Sequence, residues 1–484
     1  MQRIKGLSII NILILIGLIA DYFFIQPAYN QPHCIVCVCI CVFQMLMLLS
    51  NNKEFNRVVV RPTMVFVFAL FVVFVQSYID LILGNFTPVD NAFRFPNTIN
   101  KGVCLSAIAF TCFTISYNQY KQRRIRVEVP KNEAYWNSRL RVIAIINALF
   151  FLYWLTTLSA EYLSGAAYLS SGAYDENHTS YPELFYKISM YVAFVIFVKS
   201  FKDGENLSLI KVFSRMPKLI LIPVLLYIVI LLMAGDRGNA VYSLFLFFFS
   251  FIFITKKKVK LIVVLPILAL GAIVMTSLSY GRQYGDELSF QDKMTYVSDN
   301  QEILQDVMVS FSPFTAELAQ SSSCTHIALN DVLNNGHPLH YGEFHFCYGV
   351  QLIPWLGSQV LQVLHIEPEQ RSSSEYITVS YSGKNYRSGF GTNLIADYYL
   401  DFGLIGVILE FLFLGVLFKK IDWYYTHSTS KEIPWWILAI VLLSAVSAIV
   451  MPRTYLLYHV RTYLYIVVFY LLVDRVVVPV LKNK

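Results

Sequence analysis

Hydrophobic and polar positions divide this chain into long apolar runs separated by short polar connections. A helix needs about 20 mostly apolar residues to cross a membrane. Twelve runs approach that length, near residues 7–24, 33–50, 63–84, 102–118, 141–160, 182–200, 218–235, 240–255, 261–280, 403–420, 433–452 and 455–474. The pattern therefore predicts twelve transmembrane helices. The first is interpreted as retained, because no small-residue cleavage site follows it.

The connections between the runs alternate in charge. Those after odd-numbered runs are poor in Lys and Arg, whereas those after even-numbered runs, such as QYKQRRIRVEVPK and KKKVK, are rich in them. Cytoplasmic loops of membrane proteins carry this excess of basic residues. The alternation predicts that both termini are cytoplasmic.

Composition agrees with a membrane protein. Of the 484 residues, 56% are apolar and 14% are charged, against about 25% charged in soluble proteins. The net charge of +7 is explained by the basic loops, so no nucleic-acid partner is expected. The sequence contains no P-loop, which excludes an ATP-driven pump. It also contains no dinucleotide-binding glycine motif after a strand. Chemistry is expected in the membrane or on its outer side.

One long polar segment, residues 281–402, interrupts the apolar runs. It contains five Lys/Arg and fourteen Asp/Glu residues, a balance typical of a translocated loop. The predicted organisation is nine helices in 1–280, a partly helical extracytoplasmic loop in 281–402 and three helices in 403–484. Within the loop, DKMTYVSDNQEILQDVMVSF has the spacing of an amphipathic helix. VQLIPWLGSQVLQVL is suited to the membrane interface.

Five arginines lie near the predicted outer face. A charge at membrane depth is costly and normally faces a cavity or a partner, and a guanidinium suits the oxygens of a phosphate. Four of them also have a structural interpretation: Arg237 closes a turn by pairing with Asp236, Arg282 marks a helix end, Arg387 is a solvated loop charge and Arg453 contacts lipid headgroups. Arg461 is the hardest to explain by a structural role. The candidates for binding an anion are Arg237, Arg282, Arg387, Arg453 and Arg461.

Two acids, Asp397 and Asp401, lie four residues apart, so on a helix they share one face. They are candidates for a general base and the group that orients it. Alternatively, they provide the negative charge that favours a helix N-terminus. Glu410, within the next apolar run, is a candidate to pair with a neighbouring helix.

Histidines, cysteines and tyrosines add further candidates. The loop HPLHYGEFHF suggests either a proton-transfer histidine or a metal site. Cys34, Cys37, Cys39 and Cys41 are interpreted as small apolar helix residues, and a disulfide between Cys324 and Cys347 is left open. No metal or cofactor is predicted. Tyrosine rings suit sugar faces as well as membrane interfaces, and the candidates are Tyr381, Tyr386 and Tyr398.

Four motifs together resemble those of the Wzy-type O-antigen polysaccharide polymerases. GFGTNLIADYYLDFGLIGVILEFLFLG is similar to the family's Gly-rich turn, acidic segment and helix entry. AGDRGNAVYS, SYGRQYG and YGEFHFCYGVQLIPWLG resemble its Gly-Asp-Arg-Gly stretch, the arginine that opens its large loop and its Ile-Pro loop segment. One departure is an aspartate at position 397, where the family often has glutamate.

The resemblance implies a membrane glycosyltransferase with a GT-C-like architecture in the bacterial inner membrane. Such an enzyme takes two undecaprenyl-diphosphate-linked oligosaccharides at the outer leaflet. It moves the growing glycan onto a new repeat unit, and undecaprenyl diphosphate leaves. The implied partners are membrane lipid, a chain-length regulator and a flippase. In this interpretation the five arginines hold diphosphate without a metal, Asp397 faces the acceptor hydroxyl, and Asp397 and Asp401 are the candidate catalytic acids.

Two other functions share much of this pattern. A lipid-linked oligosaccharide flippase also has about twelve helices, but it needs no long outer loop and distributes charge along a central cavity. An O-antigen ligase shares the architecture, and the sequence separates it poorly from a polymerase.

Overall fold

The structure is a computed structural model that describes residues 2–26, 28–50, 60–87, 95–120, 133–159, 181–201, 207–234, 236–257, 318–353, 356–384 and 389–479, together with positions 93, 162, 310, 312 and 315. All regular secondary structure within these residues is helical, with no strand. The predicted ninth helix and most of the first part of the long loop, including its predicted amphipathic helix, lie outside the described residues.

Within the described residues, ten α-helices precede the long loop. They are α1 (Gln2–Phe24), α2 (Gln31–Ser50), α3 (Pro62–Phe74), α4 (Gln76–Leu83), α5 (Ile99–Gln119), α6 (Glu133–Leu155), α7 (Tyr181–Ser200), α8 (Leu209–Phe213), α9 (Lys218–Ala234) and α10 (Arg237–Thr255).

Seven more α-helices follow in the described part of the chain. Four of them belong to the loop: α11 (Ser322–Leu333), α12 (Glu343–Val350), α13 (Leu356–Val363) and α14 (Ser373–Ser382). The last three are α15 (Leu394–His427), α16 (Trp435–Ser447) and α17 (Leu456–Leu472).

Among the described residues, seven helices are long and apolar enough to cross a membrane. An eighth span results if α3 and α4, which meet at 43°, are counted as one broken helix. Three shorter apolar helices, Ile9–Phe24, Lys218–Ala234 and Trp435–Ser447, coincide with three further predicted spans. The prediction of an all-α polytopic membrane protein is confirmed. The number twelve and the GT-C-like arrangement stay predictions.

Helix α5 is the central helix, because 94% of an 18-residue apolar segment along it is buried inside the protein. It packs against α1, α2 and α15. Its approach to α15 depends on Gly415, where an added Cβ would lie 2.0 Å from Ser116 Oγ and 2.5 Å from the Phe113 carbonyl oxygen. Only a residue without a side chain permits this separation of the two helices.

Helix α15 extends beyond the predicted span 403–420 at both ends. Its backbone breaks at Gly403 (φ 62°, ψ −151°), so Leu394–Phe402 forms a separate initial segment. At its other end the helix continues past Lys419 and Lys420 to His427, and the buried Asp422 in this extension is satisfied. Asp422 accepts hydrogen bonds from Tyr117 Oη at 2.7 Å and Thr63 N at 3.2 Å.

The two loop cysteines are both free and buried. Cys324 donates to the Phe390 carbonyl and Cys347 to the Gln370 carbonyl, at 3.6 and 3.8 Å. The disulfide left open by the sequence is therefore not formed. Helix α13 carries the predicted interfacial segment. Val363 at its end is exposed, as are Ile353 before the helix and Leu364 after it.

Candidate functional site

A histidine of the long loop and an acid of α15 form the core of the candidate site. Asp401 accepts hydrogen bonds from the backbone N–H groups of Phe344 at 3.4 Å and His345 at 3.1 Å. Its Oδ2 also accepts from Nδ1 of the His345 ring. Asp401 therefore caps the start of α12, which lacks a capping side chain of its own, and fixes the orientation of the imidazole.

The second acid, Asp397, faces the other ring nitrogen. Its Oδ2 lies 3.9 Å from His345 Nε2 and has no hydrogen-bond partner among the described residues. Its Oδ1 accepts from Ser373 Oγ at 2.6 Å and from Tyr348 Oη at 2.9 Å. Burial raises the pKa of Tyr348 well above its ordinary value, so its hydroxyl remains a donor to Asp397.

Local sequence explains why the two acids reach the loop. Asn393 caps α15 by accepting from Ala396 N at 2.8 Å, and its amide donates to the Ser321 carbonyl at 2.6 Å. The break at Gly403 frees the Leu400 carbonyl, which accepts instead from His340 N at 2.9 Å. These contacts hold the acidic segment against the helices of the long loop.

Among Asp397, Asp401 and His345, only His345 has a partly exposed side chain. Both carboxylates are fully buried, whereas 19% of the His345 side chain is accessible. Burial opposes a charge on the ring, but the hydrogen bond to Asp401 and the charges of Asp397 and Asp401 outweigh it and raise the pKa of His345. The arrangement presents one imidazole nitrogen, backed by two carboxylates, and can receive a proton.

The start of α17 reaches the same site. The rings of Tyr348 and Tyr455 stack with their centroids 3.9 Å apart and their planes 4° from parallel. Arg453 lies two residues before Tyr455, and Arg461 six residues after it, about 9 Å along the helix at 1.5 Å per residue. Of the five predicted arginines, Arg461 therefore lies on α17, and Arg453 ends the short 3-10 helix Met451–Arg453 just before it.

Neither guanidinium pairs with a carboxylate within the described part of the chain. Arg461 lies over the Tyr458 ring, 5.2 Å from its centroid. Among the acids considered as its partners, Asp236 caps α10 through Asn239 N at 3.2 Å. Glu410 is buried, and its Oε1 has no hydrogen-bond partner among the described residues. The pairing of Glu410 with a neighbouring helix stays a prediction.

The other predicted residues divide into two groups. Arg282, Arg387, Tyr386 and the side chain of Arg237 lie outside the described residues, although the backbone of Arg237 begins α10. Tyr398 contacts His345, with ring centroids 4.4 Å apart. Tyr381 packs against Phe390 at 4.5 Å and is not part of the carboxylate–histidine cluster.

The histidines of HPLHYGEFHF engage three different carboxylates. His337 pairs with Asp331 at 2.9 Å, His340 with Glu343 at 3.3 Å, and His345 with Asp401. This arrangement does not bring the three rings to one metal ion. Sequence reasoning did not select His345 from the others, nor did it identify Tyr348 and Ser373. The spacing of His345 and Tyr348, which share a helix face, was the available signal.

Comparison with known proteins gives one match. The family model of the O-antigen polysaccharide polymerase Wzy matches residues 7–484. No match was found among curated proteins or solved structures. The helices and the match define a multi-pass membrane protein of polysaccharide biosynthesis. The chain belongs to the O-antigen polysaccharide polymerase Wzy family, and the resemblance drawn from its motifs is confirmed.

Proposed function

We propose that this protein joins undecaprenyl-diphosphate-linked oligosaccharide repeat units at the outer leaflet of the bacterial inner membrane. The growing glycan moves from its carrier to the non-reducing end of a new repeat unit. Membership of the Wzy family supports polymerisation in general rather than the flippase and ligase alternatives. The observation that carries the finer proposal is the partly exposed His345 ring, held by Asp401 and facing Asp397.

In the proposed reaction His345 is the base. The acceptor hydroxyl oxygen forms a bond to the anomeric carbon of the growing glycan while its proton passes to His345 Nε2. The bond from that carbon to the diphosphate oxygen breaks, and the electron pair leaves with undecaprenyl diphosphate. Asp401 keeps the ring oriented, and Asp397, whose Oδ2 lies 3.9 Å away, stabilises the imidazolium that forms.

The arginines supply the positive charge for the leaving group. Arg453 and Arg461 flank Tyr455 in the sequence, and the ring of Tyr455 stacks on Tyr348 beside Asp397; both arginines are proposed to contact the diphosphate. Arg237, Arg282 and Arg387 complete the proposed set. Guanidinium groups stabilise a developing diphosphate charge without a metal. Turnover should therefore persist in excess chelator, and loss of turnover that one divalent ion restores would contradict this.

Sugar contacts complete the proposed site. Tyr398 lies against the His345 ring and is suited to contact the acceptor sugar. Tyr381 and Tyr386 are proposed for more distant sugars. A chain-length regulator and a flippase are the proposed partners.

The deciding experiment compares deletion and reconstitution. A strain without this protein should carry single repeat units on its surface lipid, and the wild-type gene should restore long chains. Polymer retained on the carrier would indicate a ligase, and units retained inside would indicate a flippase. With purified protein and lipid-linked repeat units, longer glycans and free undecaprenyl diphosphate should appear together.

Orientation has its own test. A reporter active only outside the cytoplasm should work when fused near Asp331 and fail when fused near Arg124. The reverse result would place the site on the wrong side of the membrane for this substrate.

A further inference from the structure

A second group of polar side chains lies between α1, α2 and α5, apart from the carboxylate–histidine site. His33 Nε2 is 2.7 Å from Asp21 Oδ2 and 3.7 Å from Cys37 Sγ. The three candidate ligand atoms all lie within 4.8 Å of one another. The Cys104 thiol of α5 donates instead to the Leu18 carbonyl at 3.3 Å and is not one of the three. One carboxylate, one imidazole and one thiol therefore meet at one point.

The sequence explains this convergence. Helix α1 ends at Phe24 and α2 begins at Gln31, so the short connection brings Asp21 opposite His33. His33 and Cys37 are four residues apart and share one face of α2. Cys39, two residues further along, is exposed on another face. The earlier interpretation of these cysteines as apolar packing residues therefore omits the polar surroundings of Cys37.

We propose that Asp21, His33 and Cys37 form a Zn²⁺ site whose fourth position is taken by water. Zn²⁺ is bound by thiolate, imidazole and carboxylate ligands, and a site with three protein ligands completes its tetrahedral coordination with a water molecule. Zn–S and Zn–N bonds of about 2.3 and 2.0 Å at a tetrahedral angle separate the two ligand atoms by about 3.5 Å, close to the 3.7 Å between Cys37 and His33.

Exposure and proton balance are compatible with metal binding. The Asp21 side chain is 33% exposed and the His33 side chain 12%, whereas Cys37 is buried. An ion can therefore enter from the surface and meet the sulfur behind. Binding replaces the hydrogen bond between Asp21 and His33, and the Cys37 thiol releases its proton to solvent.

The site would join the end of α1 to the start of α2. Asp21 is followed by Tyr22, whose hydroxyl is 2.7 Å from that of Tyr399 on α15. The position of α1 is thus coupled to the segment that carries Asp397 and Asp401. The metal stabilises the helix arrangement in this proposal and takes no part in the transfer reaction.

The test measures metal in the full-length protein, purified in detergent without a metal-affinity tag. Wild type and Cys39→Ser, the matched control on the same helix, should each retain one Zn²⁺ per chain by elemental mass spectrometry. Loss of an outer-shell partner alone weakens a metal site by about 10–100-fold. Cys37→Ser and His33→Gln should therefore bind Zn²⁺ at least about tenfold more weakly.

Cobalt replacement identifies the ligands. Co²⁺ should give wild type and Cys39→Ser a thiolate-to-cobalt absorption band, which Cys37→Ser lacks. Wild type without Zn²⁺ and without this band would overturn the proposal even if every variant misfolds. A band unchanged in Cys37→Ser, or a disulfide that includes Cys37, would also overturn it. These measurements need no polymerase activity, so their outcome is independent of the proposed function.

Discussion

His345 Nε2 lies 3.9 Å from Asp397 Oδ2, an oxygen without a hydrogen bond among the described residues. The other nitrogen of the ring is bonded to Asp401. One acid thus orients the imidazole while the second lies where positive charge would develop. This relationship assigns different roles to two aspartates that the sequence presented as equivalent.

Replacement of His345 by Gln should lower the rate of glycan transfer by about 10²–10⁴-fold, the usual contribution of general acid–base catalysis. The surface lipid should then carry mainly single repeat units at a normal protein level. His427→Gln, at the other end of α15, is the control and should retain long chains. Normal chains in a well-expressed His345→Gln strain would remove His345 from the reaction.

The pH dependence of transfer should report the raised pKa of His345. A base must be neutral to act, so the rate should rise with pH through a midpoint above the ordinary value of about 6.5. Asp401→Asn removes the charge that favours the imidazolium, so the midpoint should move to lower pH. The amide oxygen can still accept from the α12 backbone. An unchanged midpoint would leave Asp401 as a helix cap only.

Asp397→Asn and Asp397→Ala should differ. The amide oxygen of Asn can still accept from Tyr348 and Ser373, so this variant should fold normally and transfer glycan slowly. Ala leaves buried donors unpaired at about 1–3 kcal/mol each, so the level of folded protein should also fall. The measurements are the transfer rate and thermal unfolding in detergent. Full activity of the folded Asp397→Asn variant would exclude a role for the charge.

Arg461→Ala should insert at a normal level and leave only single repeat units, because its proposed partner is the substrate diphosphate. Arg461→Lys should retain only part of the activity, since the ammonium group of lysine is a point charge and cannot replace the planar guanidinium. The chain-length distribution on the surface lipid is the measurement. If Arg461→Ala instead lowers folded protein, and removal of a nearby acid restores it, the partner is a protein acid.

Gly415→Ala should destabilise the helix core without touching the site. The new methyl group would lie 2.0 Å from Ser116 Oγ and 2.5 Å from the Phe113 carbonyl oxygen, and overpacking costs about 1–3 kcal/mol. Gly17→Ala in α1, which meets nothing within 4 Å, is the control. Equal melting temperatures for the two variants would show that α5 and α15 separate at little cost.

The sequence by itself determined the class of the protein and the places of most helices. Long apolar runs and a 14% charged fraction indicate that the chain is buried in a membrane. A continuous apolar run crosses the membrane as a helix, because a helix satisfies its own backbone hydrogen bonds. The spacing of Asp397 and Asp401 placed both on one helix face for the same local reason. Loose motifs spread along the chain were sufficient to indicate the family.

Tertiary structure decided which residues meet. Nine histidines are present, and the choice of His345 depends on a contact across 56 residues that no local period encodes. Likewise, four cysteines in one apolar run look alike until α1 brings Asp21 beside His33, which shares a helix face with Cys37. Helical periodicity reports the environment of a face, whereas catalytic and metal geometry depends on pairs of side chains from separate elements.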